Sequence, residues 1–237
     1  MLSRRHFCCS GGGVIAGSLL ALNRAFAADQ CAALSQERQT VLSPDDALNK
    51  LKAGNERFVS RNMRNCDLIE QVRATSGGQF PSAVIVGCID SRVPPELVFD
   101  SRIGDIFSAR VAGNIVNDDI VGSSEFATKL AGAKLIVVLG HSECGAIKGA
   151  IDGAELGELT QLLAKIRPAV KASEGAPGDH NSKNKDFVQQ VAIANAKLGA
   201  EKLATSSGVL RDLVAAKQLK IVAAMHDIAT GRVTFME

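Results

Sequence analysis

Two runs decide the fold: Lys134-Leu135-Ile136-Val137-Val138-Leu139-Gly140-His141-Ser142-Glu143-Cys144 and, upstream, Ala83-Val84-Ile85-Val86-Gly87-Cys88-Ile89-Asp90-Ser91-Arg92. Each is a short, uninterrupted apolar run rich in β-branched residues that stops at a glycine. Such runs predict strands buried on both faces, as in parallel sheets. Weaker strands are predicted over 106–110 and 219–225, with 232–235 as an edge strand beside the latter. Between them lie helical patterns. Ser43-Pro44-Asp45-Asp46 is a helix start, with a hydroxyl cap, proline in the first turn and carboxylates facing the dipole. Ala47, Leu48, Leu51 and Phe58 continue it as an apolar stripe. Further helices are predicted over 124–131, 155–170, 186–203 and 208–216. The segment 173–185, rich in Gly, Pro, Asp and Asn, predicts a mobile surface loop. Strands alternating with helices predict an α/β fold, with about four parallel strands and an edge strand flanked by helices. No internal repeat or second domain is visible.

In open parallel sheets, ligands collect beyond the carboxyl ends of the strands. Cys88 follows one strand, His141 ends another, and Cys144 lies three residues later as the chain turns into a helix. Zinc accepts a Cys₂His set, and three protein ligands leave one position open for catalysis. There the pKa of a water falls from ~16 to ~7. Singly, each residue has an ordinary explanation, since buried cysteines serve as small hydrophobes and a histidine at a strand end needs only a hydrogen bond. Their convergence on one sheet edge is what favours a metal. Asp90 and Arg92 follow Cys88 directly. A carboxylate there could take the open position itself; an arginine fork would hold it back and leave it to accept a proton from the nucleophile.

Residues 1–27 stand apart from the domain expected over 28–237. Ser3-Arg4-Arg5-His6-Phe7, an apolar middle from Gly11 to Leu22, and Ala25-Phe26-Ala27 have the order of an export signal with a small-residue cleavage site. The paired arginines resemble a twin-arginine signal, and the apolar stretch is too short to span a bilayer comfortably. The expectation is therefore a periplasmic or secreted protein, with no stable membrane span after cleavage. The whole chain has 27 basic and 25 acidic residues. Loss of Arg4, Arg5 and Arg24 would leave 24 against 25, a balance that does not suggest nucleic acid as a partner. Cys8 and Cys9 would leave with the signal. Cys31 and Cys66 would remain in an oxidising compartment, either as unpaired thiols on helices that never meet or as a disulfide, which would close a loop of about 35 residues and add roughly 3–4 kcal/mol.

The motifs resemble the β-class carbonic anhydrases. Cys88-Ile89-Asp90-Ser91-Arg92-Val93 with Pro95, Gly104-Asp105-x-Phe107, Arg110-x-Ala112-Gly113-Asn114 and Gly140-His141-Ser142-x-Cys144-Gly145-Ala146 carry the resemblance. Leu51-x-x-Gly54-Asn55-x-Arg57-Phe58 and Asp227-Ile228-x-Thr230-Gly231-x-Val233 extend it over nearly all of 45–235. The resemblance implies one Zn²⁺ per chain on Cys88, His141 and Cys144, and an Asp90–Arg92 catalytic dyad. It implies substrate contacts from Gln79 and the Gly145 backbone, and reversible hydration of carbon dioxide to bicarbonate and a proton. It also implies a homodimer or higher homo-oligomer, with the N-terminal helices as candidate contacts. Phe107 would help line an apolar pocket, and His180 and His226 have titration ranges suited to proton transfer. Val111 and His226 depart from the family's usual asparagine and tyrosine. The chain has neither tryptophan nor tyrosine, so the bicarbonate pocket that some members build from them is not expected. Two other readings stay open at this point: hydrolysis of carbon disulfide or carbonyl sulfide on the same scaffold, and a non-catalytic zinc or thiol-sensing module.

Overall fold

The computed structural model describes residues 31–236; the expected export signal over 1–27, with Cys8 and Cys9, lies outside them. Five strands form one sheet: β1 (Ala83–Gly87), β2 (Ile106–Arg110), β3 (Leu135–His141), β4 (Lys220–His226) and β5 (Val233–Met236). The order is β2-β1-β3-β4-β5, parallel throughout except for the antiparallel edge strand β5. This is the mostly parallel α/β sheet that the apolar runs predict.

Alternation along the strands sends side chains into two cores. Val84, Val86, Ile136 and Val138 share one with Val191, Ala192 and Ala196 of the long helix α9 (Lys185–Ser206). Ile85, Leu135, Val137 and Leu139 share the other with Leu48 and Leu51 of α2 (Pro44–Val59) and with Phe99. Helix α2 starts as its sequence predicts. Ser43 accepts from the Asp46 N–H at 3.1 Å, and Asp46 accepts from the Ser43 N–H at 3.2 Å, which closes a reciprocal cap. The shorter helices are α1 (Gln36–Val41), α3 (Leu68–Thr75), α4 (Pro95–Val98), α5 (Asp118–Glu125), α6 (Gly145–Ile151), α7 (Gly157–Ala164), α8 (Arg167–Ala172) and α10 (Gly208–Ala215).

Two expectations about elements need correction. The helix expected over 155–170 is two helices, α7 and α8. Pro168 cannot donate to the carbonyl of Ala164, and its ring would clash there, so the first helix stops at Ala164. The helix expected from 124 begins at Asp118, because Asn117 caps the Ile120 N–H at 3.0 Å and two aspartates fill the first turn. Its continuation, Phe126–Leu130, is a wider π turn. The segment 173–184 is the expected surface loop, with contacts near its end. The Ser182 N–H donates to Asp152 Oδ1 at 3.0 Å, and the His180 ring stacks on Phe187 with centroids 4.5 Å apart.

One buried charge ties α2 to the region below β1. Asp100 has no exposed side-chain surface and a φ of 44°. It accepts from Arg57 Nε at 2.5 Å and Arg102 Nη2 at 2.6 Å, with Arg64 Nε at 3.3 Å. Burial pushes its pKa up, but the Arg57 hydrogen bond, the Arg64 backbone N–H and the charges of Arg102 and Arg64 outweigh it, so the net shift is downward. Removing one member of such a set strands buried charge. Asp100→Asn keeps the side-chain shape and tolerates positive φ, so it isolates the charge. It is expected to cost about 3–5 kcal/mol at pH 7 in urea unfolding. A depressed folded-state pKa stabilises above the unfolded value near ~3.9 and is lost as pH falls through the folded value. The wild-type advantage should therefore hold at neutral pH and shrink in strong acid. An Asn variant as stable as wild type at pH 7 would remove this role.

Cys31 and Cys66 are joined in a disulfide with Cα atoms 5.5 Å apart. The Cys31 carbonyl also accepts from Gln71 Nε2 at 3.0 Å, so the chain before α1 is fastened to α3. Cys66→Ser should lower unfolding free energy by roughly 3–4 kcal/mol. Reductant should do the same to wild type and nothing further to the variant.

Candidate metal centre

Parallel strands deliver their carboxyl ends to a common edge. Gly87, the last residue of β1, pairs with Leu139, so β3 runs two residues further and ends at His141. Cys88 follows β1 directly, and Cys144 is the residue before α6. The two thiol sulfurs and an imidazole nitrogen thus meet within 4.8 Å of one another, all three residues buried. Among the described residues this is the one cluster of metal-ligating type.

The donor set fits a zinc ion. His141 Nδ1 lies 2.9 Å from the Ser142 carbonyl. With its proton donated there, Nε2 is left with a lone pair, and that atom is buried with no hydrogen-bond partner. An orphaned buried acceptor is costly unless something fills it. The cysteines are paired in the same sense. The Cys144 hydrogen bond holds the Cys88 thiol well below its ordinary pKa, and that bond together with burial pushes Cys144 up. A divalent cation would accept both sulfurs as thiolates.

Asp90 stands beside this cluster, its Oδ2 3.9 Å from His141 Nε2. Arg92 grips it with Nε to Oδ1 at 2.9 Å and Nη2 to Oδ2 at 2.7 Å, while the Arg92 backbone N–H adds a third bond at 2.9 Å. The Arg92 hydrogen bond holds the Asp90 carboxyl far below the usual carboxylate range. The loop carrying the dyad is itself clamped. Arg110 at the end of β2 donates Nε to the Cys88 carbonyl at 2.8 Å and Nη2 to the Asp90 carbonyl at 2.7 Å. Its place in a motif does not reveal this clamp. The signal available is its strand-end position next to β1, where a long side chain reaches a neighbouring strand's exit.

Other candidate residues are placed differently. Gln79 is exposed and precedes β1, at the end of the sheet opposite Cys88, so within one chain the structure does not bring it to the cluster. The reason is topological: four residues before a parallel strand start at the amino edge, and the ligands gather at the carboxyl edge. Phe107 pairs with Val84 near the start of β1 and packs edge-on to Phe126, with centroids 6.3 Å apart, likewise away from the ligands. Gly145 opens α6 beside Cys144. His180 is exposed and bonded through Nε2 to the Ala176 carbonyl at 2.8 Å. His226 pairs in register with His141; it is buried, with neither ring nitrogen hydrogen-bonded, and burial pulls its pKa down. Ser142 locks the turn between His141 and Cys144, a role with no signature in the sequence. Its hydroxyl accepts from the Ile228 N–H at 3.1 Å, and its N–H donates to the His226 carbonyl at 2.9 Å.

Comparison with known proteins points the same way. A family profile described as carbonic anhydrase matches residues 83–233. Carbonic anhydrase 2 of Mycobacterium tuberculosis is 32% identical over 80% of this chain and 91% of its own length. A carbonic anhydrase of Mycolicibacterium smegmatis is 33% identical over 81% of this chain and 92% of its own. Among solved structures, the β-carbonic anhydrase CcaA superposes with a TM-score of 0.61 at 27% identity, covering 81% of this chain and 93% of that one. A tetrameric β-carbonic anhydrase from Sordaria macrospora gives 0.62 at 24% identity, covering 94% and 98%, and there the likeness is one of fold.

Proposed function

The chain belongs to the β-class carbonic anhydrase family, lyases that hydrate carbon dioxide, and from that premise we propose that it does so with one zinc ion held by Cys88, His141 and Cys144. The observation that carries this is a buried cluster in which two thiol sulfurs and an imidazole nitrogen lie within 4.8 Å of one another, with His141 Nε2 left without a hydrogen-bond partner. When bound, zinc supplies a hydroxide nucleophile at neutral pH. Asp90 would accept that nucleophile's remaining proton in a hydrogen bond and so turn a lone pair toward the carbon of carbon dioxide. Arg92 keeps the carboxylate ionised and away from the cation, so it orients rather than coordinates. The product would be bicarbonate, and the proton lost from water would pass to buffer. Stopped-flow hydration with zinc content measured on the same sample tests this. Stoichiometric zinc with turnover far above the buffer rate is expected, and metal-free protein or inert zinc protein would refute it.

The protein works as a homo-oligomer in this reading. Helix α3 exposes Leu68, Ile69 and Val72, an apolar face that a second copy would cover. Gln79, at the far edge of its own sheet, would reach a substrate only across such an interface. Export is proposed from the order of charges and apolar residues over 1–27. Sequencing the amino terminus of protein recovered from the cell envelope should read from about residue 28.

A further inference from the structure

We propose that Asn195 is a positioning residue for the metal centre, acting through Gly113 on the sulfur of Cys88. The inference rests on the zinc-site reading above. Three observations carry it. The Gly113 N–H donates to Cys88 Sγ at 3.3 Å. The Gly113 carbonyl accepts from Asn195 Nδ2 at 2.8 Å, a buried bond that spans 82 residues of sequence. Asn195 itself is 7% exposed on α9, whose neighbouring residues Val191, Ala192 and Ala196 face the sheet core.

The geometry leaves Gly113 little freedom. It sits at φ 67° and ψ 20°, a left-handed conformation that glycine adopts without strain. A Cβ there would lie 2.6 Å from Ile166 Cδ1 and 3.2 Å from Ala146 Cβ. This kink, just past β2, aims the N–H at sulfur. Such a turn in a short 3₁₀ segment has no regular ladder to hold it, so its orientation depends on what grips the carbonyl. A buried amide donor on a long helix is a rigid grip. An N–H directed at a ligating thiolate draws charge from the sulfur and fixes its lone pairs, the usual work of residues behind a metal ligand. Asn195 therefore sets the orientation of one donor to Cys88, while Arg110 sets the backbone of the same residue from the other side.

The test uses full-length protein and three variants. Asn195→Leu keeps the branching at Cγ and removes the donor. Asn195→Asp, which turns a carboxylate toward the Gly113 carbonyl, serves should the leucine variant fold poorly. Val191→Ala, on the same helix and fully buried, lowers stability without touching this chain of contacts. Zinc affinity is measured by chelator competition, and the thiolate-to-metal absorption bands are recorded after cobalt substitution. We expect the Asn195 variants to bind zinc roughly ten-fold to a hundred-fold more weakly and to shift the cobalt–thiolate bands. Val191→Ala should lower Tm with both readouts unchanged. Asn195 variants with wild-type affinity and spectrum, or with changes no larger than those of Val191→Ala, would overturn the assignment while leaving the zinc site standing. A wild-type protein that takes up neither zinc nor cobalt would instead bring down the zinc-site reading and this one with it.

Discussion

His141→Ala yields a folded protein that no longer retains zinc and no longer hydrates carbon dioxide above the buffer rate. Loss of the imidazole leaves only two sulfurs, a donor set too small to hold a catalytic cation against a chelator. Zinc should fall from about one per chain to under about a tenth, and kcat/KM by at least about 10³-fold, because the pKa lowering of water from ~16 to ~7 disappears with the metal. The fold should survive, since β3 is paired on both sides along its length by β1 and β4 and the substitution removes one side chain at its end. Metal analysis and stopped-flow hydration check this on the same preparation. A variant that kept stoichiometric zinc would mean that the cluster is not the site.

Asp90→Asn separates metal binding from turnover. The substitution is isosteric and leaves all three zinc ligands in place. It replaces an oxygen that Arg92 Nη2 approaches at 2.7 Å with an amide nitrogen, so the fork opens and the acceptor for the nucleophile's proton is lost. Misorienting or removing one such group costs about 10²–10⁴-fold in kcat, and zinc content should stay at wild-type level. Arg92→Ala makes the complementary case. The freed carboxylate, already 3.9 Å from His141 Nε2, should swing onto the cation, giving inactive protein with an additional oxygen ligand visible by X-ray absorption. Hydration by Asp90→Asn at the wild-type rate would end the dyad role.

What a single sequence discloses about this chain depends on range. Strands β1 and β3 are legible because burial on both faces writes itself as unbroken Val/Ile/Leu runs, and their glycine exits mark the sheet edge where the ligands meet. The start of α2 is legible because a cap is a local arrangement of Ser43, Pro44 and Asp46. The break at Pro168 is harder to place, since the apolar pattern continues across it. Contacts fixed by tertiary placement leave no such trace: Arg110 on the Cys88 loop, Asn195 on Gly113, and the Arg57, Arg64 and Arg102 ring around Asp100. Most of these join residues tens of positions apart through a backbone carbonyl or a buried carboxylate, and the sequence holds no record of such distances. Gln79 shows the converse. Its spacing from Cys88 matches a pattern, yet the strand between them carries the two to opposite ends of the sheet.

Under the export proposed above, oxidative folding would give the cysteine arrangement a further meaning. The described residues hold four cysteines, two bonded to each other and two buried side by side, and four thiols admit three pairings. Sulfurs as near as those of Cys88 and Cys144 are apt to oxidise to one another, or to capture the wrong partner, wherever thiols are not kept reduced. A cation that claims both as thiolates withdraws them from that competition and leaves Cys31 and Cys66 only each other. Metallation before exposure to oxidant would then act as a proofreading step for the crosslink, and chain that reached the oxidising side empty would be sorted into mispaired, inactive forms.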